Sequence, residues 1–219
     1  IGCGSGRYGK FLEKICNSHF ENYTGLDVYK NSKYPNKYYH IKDTANNINQ
    51  HINKKINFVI SQSALEHIKN DLFVIEEVTK KLCKNNNPFI QIHMIPATKC
   101  LWLYLWHGYR QYSKKNLANI SFKLNKKFKV NTSIIPLGGN HCFWAQFKYV
   151  TLPIFVKKKI FKMKNFKLYE EPNIKQKIFK QVIKDLNCNH KNPIFWALII
   201  SSENVNIKFH TLSESKINN

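Results

Sequence analysis

The sequence predicts an α/β protein built on a three-layer, doubly wound and mostly parallel β-sheet. Three observations lead to this prediction. The chain opens with a glycine-rich turn, from Gly2 to Gly9, between an apolar residue and a helix-compatible run. Apolar segments of strand length then alternate with helical segments as far as Pro96, which is typical of parallel strands joined by crossover helices. A carboxylate, Asp27, ends the second apolar segment roughly 20 residues after the turn.

The glycine turn places Gly2, Gly4 and Gly6 at alternate positions. Glycine adopts positive φ without steric cost and lets a ligand approach the backbone closely. A helix that begins near Arg7 directs its first N–H groups toward the turn. Because an acid at the position of Asp27 accepts hydrogen bonds from ribose hydroxyls in such folds, the pattern predicts nucleoside binding. The alternative is a structural turn without a ligand.

Hydrophobic periodicity places the remaining elements. Apolar residues at helical spacing predict helices over Arg7–Cys16 and Asp71–Cys83. Strands are predicted at Tyr23–Val28, Tyr38–Asp43, Ile56–Ser61, Phe89–Pro96, Phe128–Ile135 and Pro193–Ile200. Further helices are predicted after Ser113, whose hydroxyl suits an N-cap, and over Ile174–Leu186.

The spacing of the opening turn is G-x-G-x-G, not the G-x-G-x-x-G of dinucleotide-binding proteins. It resembles motif I of the class I S-adenosylmethionine-dependent methyltransferases. Residues 56–68 form an apolar strand followed by Ser61-Gln62 and Leu65-Glu66-His67, and they resemble the fourth-strand segment of the same family. Asn57 replaces the usual acid near the start of that strand. The resemblance covers residues 1 to 96 well and Pro193 to Glu203 loosely.

The resemblance implies a seven-stranded sheet, S-adenosylmethionine as the cofactor and methyl transfer as the activity. A strand should run into Gly2, yet only Ile1 of it is present, so we expect the first strand to be largely missing and the N-terminus to be absent. The implied cofactor-binding residues lie in the turn and at strand ends: Gly2, Cys3, Gly4, Gly6, Asp27, Val28, Asp43, Thr44, Ser61 and Gln62. For Asp43, a hydrogen bond from the adenine amino group and N-capping of a helix from Thr44 onward are equally open, and both can hold.

Methyl transfer to a hydroxyl requires the protein to orient the acceptor and to remove its proton, so no single catalytic signature is obligatory. His67, at a helix start beside the expected cofactor, is the first candidate base; a structural histidine is the alternative. His93, at the end of the fifth strand, is the second candidate, and a satisfied core histidine is its alternative. We expect no metal. In quinone O-methyltransferases a Glu-x-x-Glu-His pattern is associated with one, but Ser63 stands at the first acid position, and the six cysteines contain no C-x-x-C pair.

We expect residues 1–96 to form the cofactor-binding half of a methyltransferase domain, residues 97–203 its acceptor-binding cap and terminal strands, and residues 204–219 a tail. The cap region is an α-rich aromatic insertion. Acceptor binding is predicted at Trp106, Tyr109, Arg110 and Tyr112, because aromatic faces suit a ring or a sugar and arginine pairs with a carboxylate or phosphate. A core helix for the aromatic run and a surface ion pair for Arg110 are the alternatives.

The chain of 219 residues carries 35 Lys+Arg against 13 Asp+Glu, a formal net charge of +22. Such a charge is typical of proteins with anionic partners, and a basic solvated surface that reflects only the lysine-rich composition is the alternative. Nearly all of it is lysine, however, and the D/N-P-P-Y/F and Pro-Cys motifs of nucleic-acid methyltransferases are absent. We therefore expect a small-molecule or glycan acceptor, methylated at a hydroxyl, and rank RNA or another nucleic acid below it. A methyltransferase-like binding module without turnover is a further alternative.

The segment Phe143–Lys159 combines aromatic residues with three consecutive lysines, which suggests peripheral contact with a membrane surface. No apolar run approaches the length of a membrane span. Cysteines without a disulfide framework in a chain of this length indicate reduced thiols, so we expect a cytoplasmic protein. The sequence leaves the oligomeric state open.

Overall fold

A computed structural model describes residues 1–16, 21–103, 108–156, 171–186 and 192–207 of the chain. Its helices are α1 (Arg7–Cys16), α2 (Ile48–His51), α3 (Asp71–Lys84), α4 (Lys114–Phe128), α5 (Asn140–Gln146) and α6 (Pro172–Leu186). Its strands are β1 (Thr24–Asp27), β2 (Tyr39–Lys42), β3 (Phe58–Gln62), β4 (Ile90–Pro96), β5 (Val130–Leu137) and β6 (Phe195–Ser202). Short 3₁₀ turns cover Ala45–Asn47, Leu65–His67 and Thr98–Trp102, and a π-helical turn at Phe147–Thr151 continues α5.

The strands are arranged in two groups that the first two residues connect. β1 pairs parallel with β2, and β3 pairs parallel with β4, while β6 lies between β4 and β5 and runs antiparallel to both. The Ile1 amino group donates to the Ile60 carbonyl at 2.9 Å, and the Gly2 N–H donates to the Leu26 carbonyl at 2.9 Å. The order is therefore β2, β1, Ile1 and Gly2, β3, β4, β6, β5. The carboxyl ends of β1 to β4 share one edge.

The main core forms because α3 turns one apolar face inward. Val74, Ile75, Val78 and Leu82 recur at helical spacing and are fully buried, and they share a cluster with Leu117 and Leu124 of α4 and with Leu198 and Ile200 of β6. Burial of each such side chain stabilises the fold by about 1.5–3 kcal/mol. A smaller cluster joins Leu12 of α1 to Cys3, Tyr23, Tyr34 and Tyr38. The predicted α/β class is confirmed.

The boundary between α4 and β5 lies later than predicted. Ser113 caps α4 as expected, because its Oγ accepts from the Asn116 N–H at 3.1 Å. The helix continues through Phe128, and Lys129 ends it by adopting a left-handed φ of +49°. β5 therefore begins at Val130. The strand was predicted to begin at Phe128, but the buried face of α4 continues the helix to that residue.

Two further segments differ from the predicted elements. Leu65–His67 is a single 3₁₀ turn and not the start of a long helix, because α3 begins only at Asp71. In the aromatic run, Thr98–Trp102 is a 3₁₀ helix and Tyr112 forms an isolated parallel bridge with Ala97. Residues 104–107 and 208–219 lie outside the described residues. Among the helices that the structure describes, none has the length and apolar content needed to cross a membrane.

Candidate cofactor and acceptor site

The glycine turn has the backbone conformation that its sequence predicts. Gly2, Gly4 and Gly6 have φ values of +64°, +50° and +69°, a region that side chains strongly disfavour. At Gly2 a Cβ atom would lie 2.5 Å from Cβ of Ala64, so this glycine also permits close contact with the segment after β3. At Gly4 a Cβ would meet no atom within 4 Å. The turn therefore packs against β3 on one side and opens to solvent at Gly4.

Asp27, at the end of β1, lies directly beside this turn. Its Oδ2 accepts a hydrogen bond from the Gly4 N–H at 2.9 Å, and its Oδ1 accepts from the Tyr29 N–H at 3.3 Å. A carboxylate has about four acceptor positions, so two of them are left for a ligand. The predicted pairing of turn and acid is thus present as a direct contact. Val28 follows at 47% exposure.

Cys3, within the turn, points away from the open side. Its side chain is buried in the cluster with Tyr23 and Tyr34. Burial raises the pKa of the Cys3 thiol to about 11, so the thiol is neutral at physiological pH. Only the backbone of Cys3 is placed to meet a ligand.

Asp43, after β2, is occupied by its own segment. Its Oδ1 accepts from the Thr44 N–H at 2.6 Å and from Asn47 Nδ2 at 2.9 Å, and its Oδ2 lies 2.7 Å from His51 Nε2. The hydrogen bond with His51, followed by those with Asn47 and Thr44, lowers the pKa of the Asp43 carboxyl. These contacts brace the segment after β2, but the 3₁₀ turn there has Thr44 as its N-cap residue and no side-chain cap hydrogen bond, so Asp43 does not form the predicted N-cap. The backbone N–H of Asp43 donates to the Asp27 carbonyl at 3.2 Å, which keeps the two acids on neighbouring strand ends.

Ser61 and His93 face each other inside the core. Ser61 Oγ lies 2.8 Å from His93 Nδ1, His93 Nε2 lies 3.3 Å from Gln91 Oε1, and Gln91 Nε2 donates to Thr79 Oγ1 at 2.9 Å. His93 is fully buried, and burial lowers its pKa to about 3. Because the Gln91 amide oxygen needs a donor, His93 is neutral with its proton on Nε2, and Ser61 donates to Nδ1. The structure thus places His93 as a satisfied core histidine, and the Ser61 hydroxyl points away from the edge.

Gln62 ends β3 on the exposed side of the sheet edge. Its Oε1 accepts a hydrogen bond from the Tyr8 hydroxyl on the first turn of α1. Burial raises the pKa of Tyr8, so the phenol remains protonated and donates. Sequence reasoning did not select Tyr8 as a site residue. Its position two residues after Gly6, where the helix meets the turn, was the available signal.

The 3₁₀ turn after β3 carries an adjacent acid and base. Glu66 is only 3% exposed, its Oε2 is buried without a hydrogen-bond partner among the described residues, and burial raises its pKa to about 7. The side chain of His67 is 40% exposed, and its Nε2 lies 3.9 Å from Glu66 Oε1. The sequence pattern identified Leu65-Glu66-His67 as a motif but did not assign a role to Glu66. Its burial follows from residues 108–112, which lie on this turn and which the sequence did not position.

The cap segment, residues 108–112, lies on this turn. Gly108 packs so closely that an added Cβ would lie 2.9 Å from the Glu66 carbonyl oxygen, and the Tyr109 N–H donates to that oxygen at 2.6 Å. The Tyr109 side chain is 68% exposed. Trp106, also predicted to bind the acceptor, lies outside the described residues.

Two side chains of the cap segment hold it in place. Arg110 forms an ion pair with the buried Asp71, at 2.8 Å from Oδ1, and donates to the Lys69 carbonyl at 2.7 Å. The Tyr112 hydroxyl donates to Asp71 Oδ2. Tyr112 is 3% exposed, and burial raises its pKa further than the hydrogen bond with Asp71 does. Arg110 therefore pairs within the protein, as one alternative foresaw, and Tyr112 belongs to the core.

No group of three or more His, Cys, Asp or Glu side chains within the described ranges is arranged to hold a metal ion.

No protein-family model matches the sequence, and no curated protein matches it. Solved structures do match. The plantazolicin methyltransferase BamL, in complex with a triazolic desmethylPZN analog and SAH, gives a TM-score of 0.57 at 17% identity, covering 92% of this chain and 75% of that chain. A SAM dependent methyltransferase from Archaeoglobus fulgidus gives 0.54 at 15% identity, covering 92% and 84%.

The small RNA methyltransferase HEN1 gives a TM-score of 0.54 at 10% identity, covering 96% of this chain but 24% of its own. These neighbours differ in what their names say they act on, and they share one architecture. The sheet order and the glycine turn beside Asp27 agree with that architecture. This chain has the fold of the class I S-adenosylmethionine-dependent methyltransferases.

Proposed function

We propose that the protein is an S-adenosylmethionine-dependent methyltransferase that transfers a methyl group to a hydroxyl of a small molecule or glycan. The observation that carries the proposal is the contact between Asp27 and the glycine turn. A carboxylate at the end of β1 bonds to Gly4 and keeps free acceptor positions beside an open backbone. This is the arrangement that a nucleoside ligand requires.

The residues present fit the cofactor. The open side of Gly4 leaves room for a ligand to approach the backbone, and the remaining lone pairs of Asp27 suit ribose hydroxyls. Asp43 and Thr44 follow β2, the strand next to β1, and would hold the adenine, while Gln62 ends β3. When bound, S-adenosylmethionine supplies a methyl group already activated on a sulfonium. The protein has to position the acceptor and take its proton.

His67 is the candidate base. Its imidazole is half exposed at the same sheet edge, with the Glu66 carboxyl 3.9 Å behind it. An ionised Glu66 stabilises the imidazolium that forms when His67 accepts a proton. Since the pKa of Glu66 is about 7, we expect this support to appear as the pH rises through neutrality. The buried His93 has no place in this proposal.

The choice of acceptor follows from the charge chemistry and the cap segment. The Tyr109 ring is exposed, and its backbone N–H donates to the Glu66 carbonyl. An exposed aromatic ring in this segment suits a ring or a sugar. The chain has only two arginines, and Arg110 is engaged by Asp71. Bidentate recognition of bases and phosphates relies on arginine, so a neutral hydroxylated acceptor fits better than a nucleic acid.

Calorimetry on the full chain tests the cofactor assignment. We expect Asp27→Ala to weaken S-adenosylmethionine binding by about 1–3 kcal/mol, the loss of hydrogen bonds to a charged group. Asp27→Asn keeps an acceptor oxygen for Gly4 and removes the charge, so its effect should be smaller. Glu76 of α3 is an acid that pairs with Lys127 of α4, and Glu76→Gln is the matched control. Binding that is equal in the wild type and in Asp27→Ala would refute the assignment.

Transfer of labelled methyl groups to a cell extract tests the acceptor class. Label in a small molecule or glycan supports the proposal, whereas label in RNA would replace it with the nucleic-acid alternative. Cofactor binding without any labelled product would identify a binding module that does not turn over. His67→Ala should reduce the label while leaving cofactor affinity unchanged, which separates the base assignment from the binding assignment.

A further inference from the structure

The helical segment 140–156 exposes an aromatic face. Trp144, Leu152 and Phe155 are 62%, 43% and 55% exposed, and the exposed Lys148 lies between the first two along the chain. The intervals of four, four and three residues place these positions on one side of a helix. The Trp144 ring makes edge contacts with the rings of Phe143 and Phe147, at 5.5 and 5.9 Å between centroids.

Helix α6 carries a second exposed apolar stripe. Phe179, Val182 and Leu186 follow one another at intervals of three and four residues and are 57%, 38% and 44% exposed. Another face of the same helix holds the buried Asp185, whose Oδ2 accepts hydrogen bonds at the N-terminus of α5. The stripe is therefore additional to the face that docks α6 onto the protein.

The two helices are fixed to each other. Asp185 Oδ2 accepts from the N–H groups of Gly139 and Cys142, both at 2.7 Å, and α5 packs along α6. The hydrogen bonds from these N–H groups lower the pKa of Asp185 against the opposing effect of burial. The C-terminal end of α6 thus meets the N-terminal end of α5.

The charges of this unit are almost all positive. The segments 140–156 and 171–186 contain Lys148, Lys175, Lys177, Lys180 and Lys184. Their acids are Glu171 and Asp185, and Asp185 is buried against backbone N–H groups. Each of the two helices thus exposes an apolar stripe flanked by lysines, and the two stripes together are what we call the α5–α6 surface: Trp144, Lys148, Leu152, Phe155, Lys175, Phe179, Val182 and Leu186.

We propose that the α5–α6 surface binds peripherally to an anionic lipid surface. Exposed apolar patches on soluble proteins mark interaction sites. Tryptophan and phenylalanine partition into the boundary between head groups and acyl chains, and lysine acts as a point charge toward anionic head groups, which require no bidentate geometry. The positive charge of the surface favours an anionic lipid surface over an apolar protein groove. Because the surface contains lysine but no arginine, it also favours lipid over RNA.

Sedimentation with vesicles tests the proposal on the full chain. The protein should bind vesicles of phosphatidylcholine mixed with phosphatidylglycerol and bind vesicles of phosphatidylcholine alone on the order of tenfold less tightly. The pair Trp144→Ser with Phe155→Ser should weaken binding by at least about tenfold, and the pair Phe179→Ser with Val182→Ser should also weaken it.

Matched controls lie on α4, where Phe122 is 69% exposed. Phe122→Ser should leave vesicle binding unchanged. Lys148→Gln with Lys175→Gln should reduce binding to anionic vesicles, whereas Lys123→Gln with Lys126→Gln should not. Because the lysine variants keep the apolar residues, they give an answer even where a serine variant fails to fold.

Several outcomes overturn the proposal. They are equal binding to neutral and anionic vesicles, an equal loss in the α4 controls, and no vesicle binding at all. A wild-type dimer that Trp144→Ser dissociates would identify a contact between copies instead. Binding of single-stranded RNA that is lost in the α5 variants, with vesicle binding unchanged, would assign the surface to nucleic acid.

Discussion

The two halves of this chain use their polar residues differently. In residues 1–96, the acid and the glycine turn predicted to meet lie in direct contact at the open edge of the sheet, as Asp27 and Gly4 do at 2.9 Å. In the region after residue 97, the predicted acceptor residues Arg110 and Tyr112 are engaged by Asp71 of the first half. The first half builds the edge, and the second half attaches to it.

The difference arises from how position is determined. A residue at the carboxyl end of a parallel strand is placed by the strand itself, so the sequence pattern carries its location. A residue in a connecting segment is placed by long-range contacts, and composition does not reveal them. We therefore expect substitutions at the junction of the two halves to act on stability, and substitutions at the edge to act on ligand binding.

The largest effect should come from Asp71→Ala. This change leaves the Tyr112 hydroxyl buried without its acceptor and Arg110 without its counter-charge, and we expect a loss of about 3 kcal/mol in the free energy of unfolding. Asp71→Asn keeps an acceptor and should cost less. Denaturant titration measures both, with Glu76→Ala, which breaks the more exposed ion pair with Lys127 of α4, as the control. A loss below that of the control would show that the cap segment is held by other contacts.

The sequence predicted the elements of the first half closely because glycine spacing and apolar periodicity act locally. Its strands begin or end within about two residues of their predicted bounds, a normal margin for element boundaries. The fourth-strand motif was recognised, but the burial of Glu66 was not, because Gly108 covers it from 42 positions further along the chain. His93 carried two alternatives, and only its contacts with Ser61 and Gln91 in the structure favour the core.

Glu66→Gln tests the contact between the two halves, because Gly108 of the second half covers Glu66 of the first. The pKa of Glu66 is raised from 4.5 to about 7 in the folded protein, so the folded state holds its proton more tightly. Its stabilising effect is present below pH 4.5 and is lost as the pH rises through 7. We therefore expect Glu66→Gln to gain about 3 kcal/mol relative to the wild type between pH 4 and pH 8.

The stability difference between Glu66→Gln and the wild type is compared at pH 4 and at pH 8. This comparison removes any pH-independent cost of introducing the amide. Unfolding titrations of both proteins at each pH give this difference. Parallel pH profiles for the variant and the wild type would contradict the burial of an unpaired carboxyl at this position.

Gly2→Ala and Gly4→Ala separate packing from ligand binding within the turn. Both glycines have positive φ, but an added Cβ at Gly2 would approach Ala64 to 2.5 Å, whereas at Gly4 it would enter open space. We expect Gly2→Ala to destabilise by about 2 kcal/mol and Gly4→Ala by about 1 kcal/mol. Calorimetry should reverse this order for cofactor binding. Relative to its loss of stability, Gly4→Ala should lose more cofactor affinity than Gly2→Ala does. Equal affinity in the wild type and Gly4→Ala would remove Gly4 from the cofactor site.

Arg110→Ala should have the smallest effect on stability, although it lies in the same network as Asp71. Its side chain is 43% exposed, and half-exposed ion pairs contribute about 1 kcal/mol or less. Its fork joins Asp71 to the Lys69 carbonyl, so its loss should loosen the cap segment without moving Asp27. We expect cofactor affinity to stay at the wild-type level while methyl transfer to the acceptor found in the extract declines. Arg110→Lys keeps the charge but loses the second hydrogen bond, so its methyl-transfer activity should lie between those of the wild type and Arg110→Ala. If Arg110→Ala weakened cofactor binding as much as Asp27→Ala, the edge and the cap would form a single site, and the division between the halves would not hold.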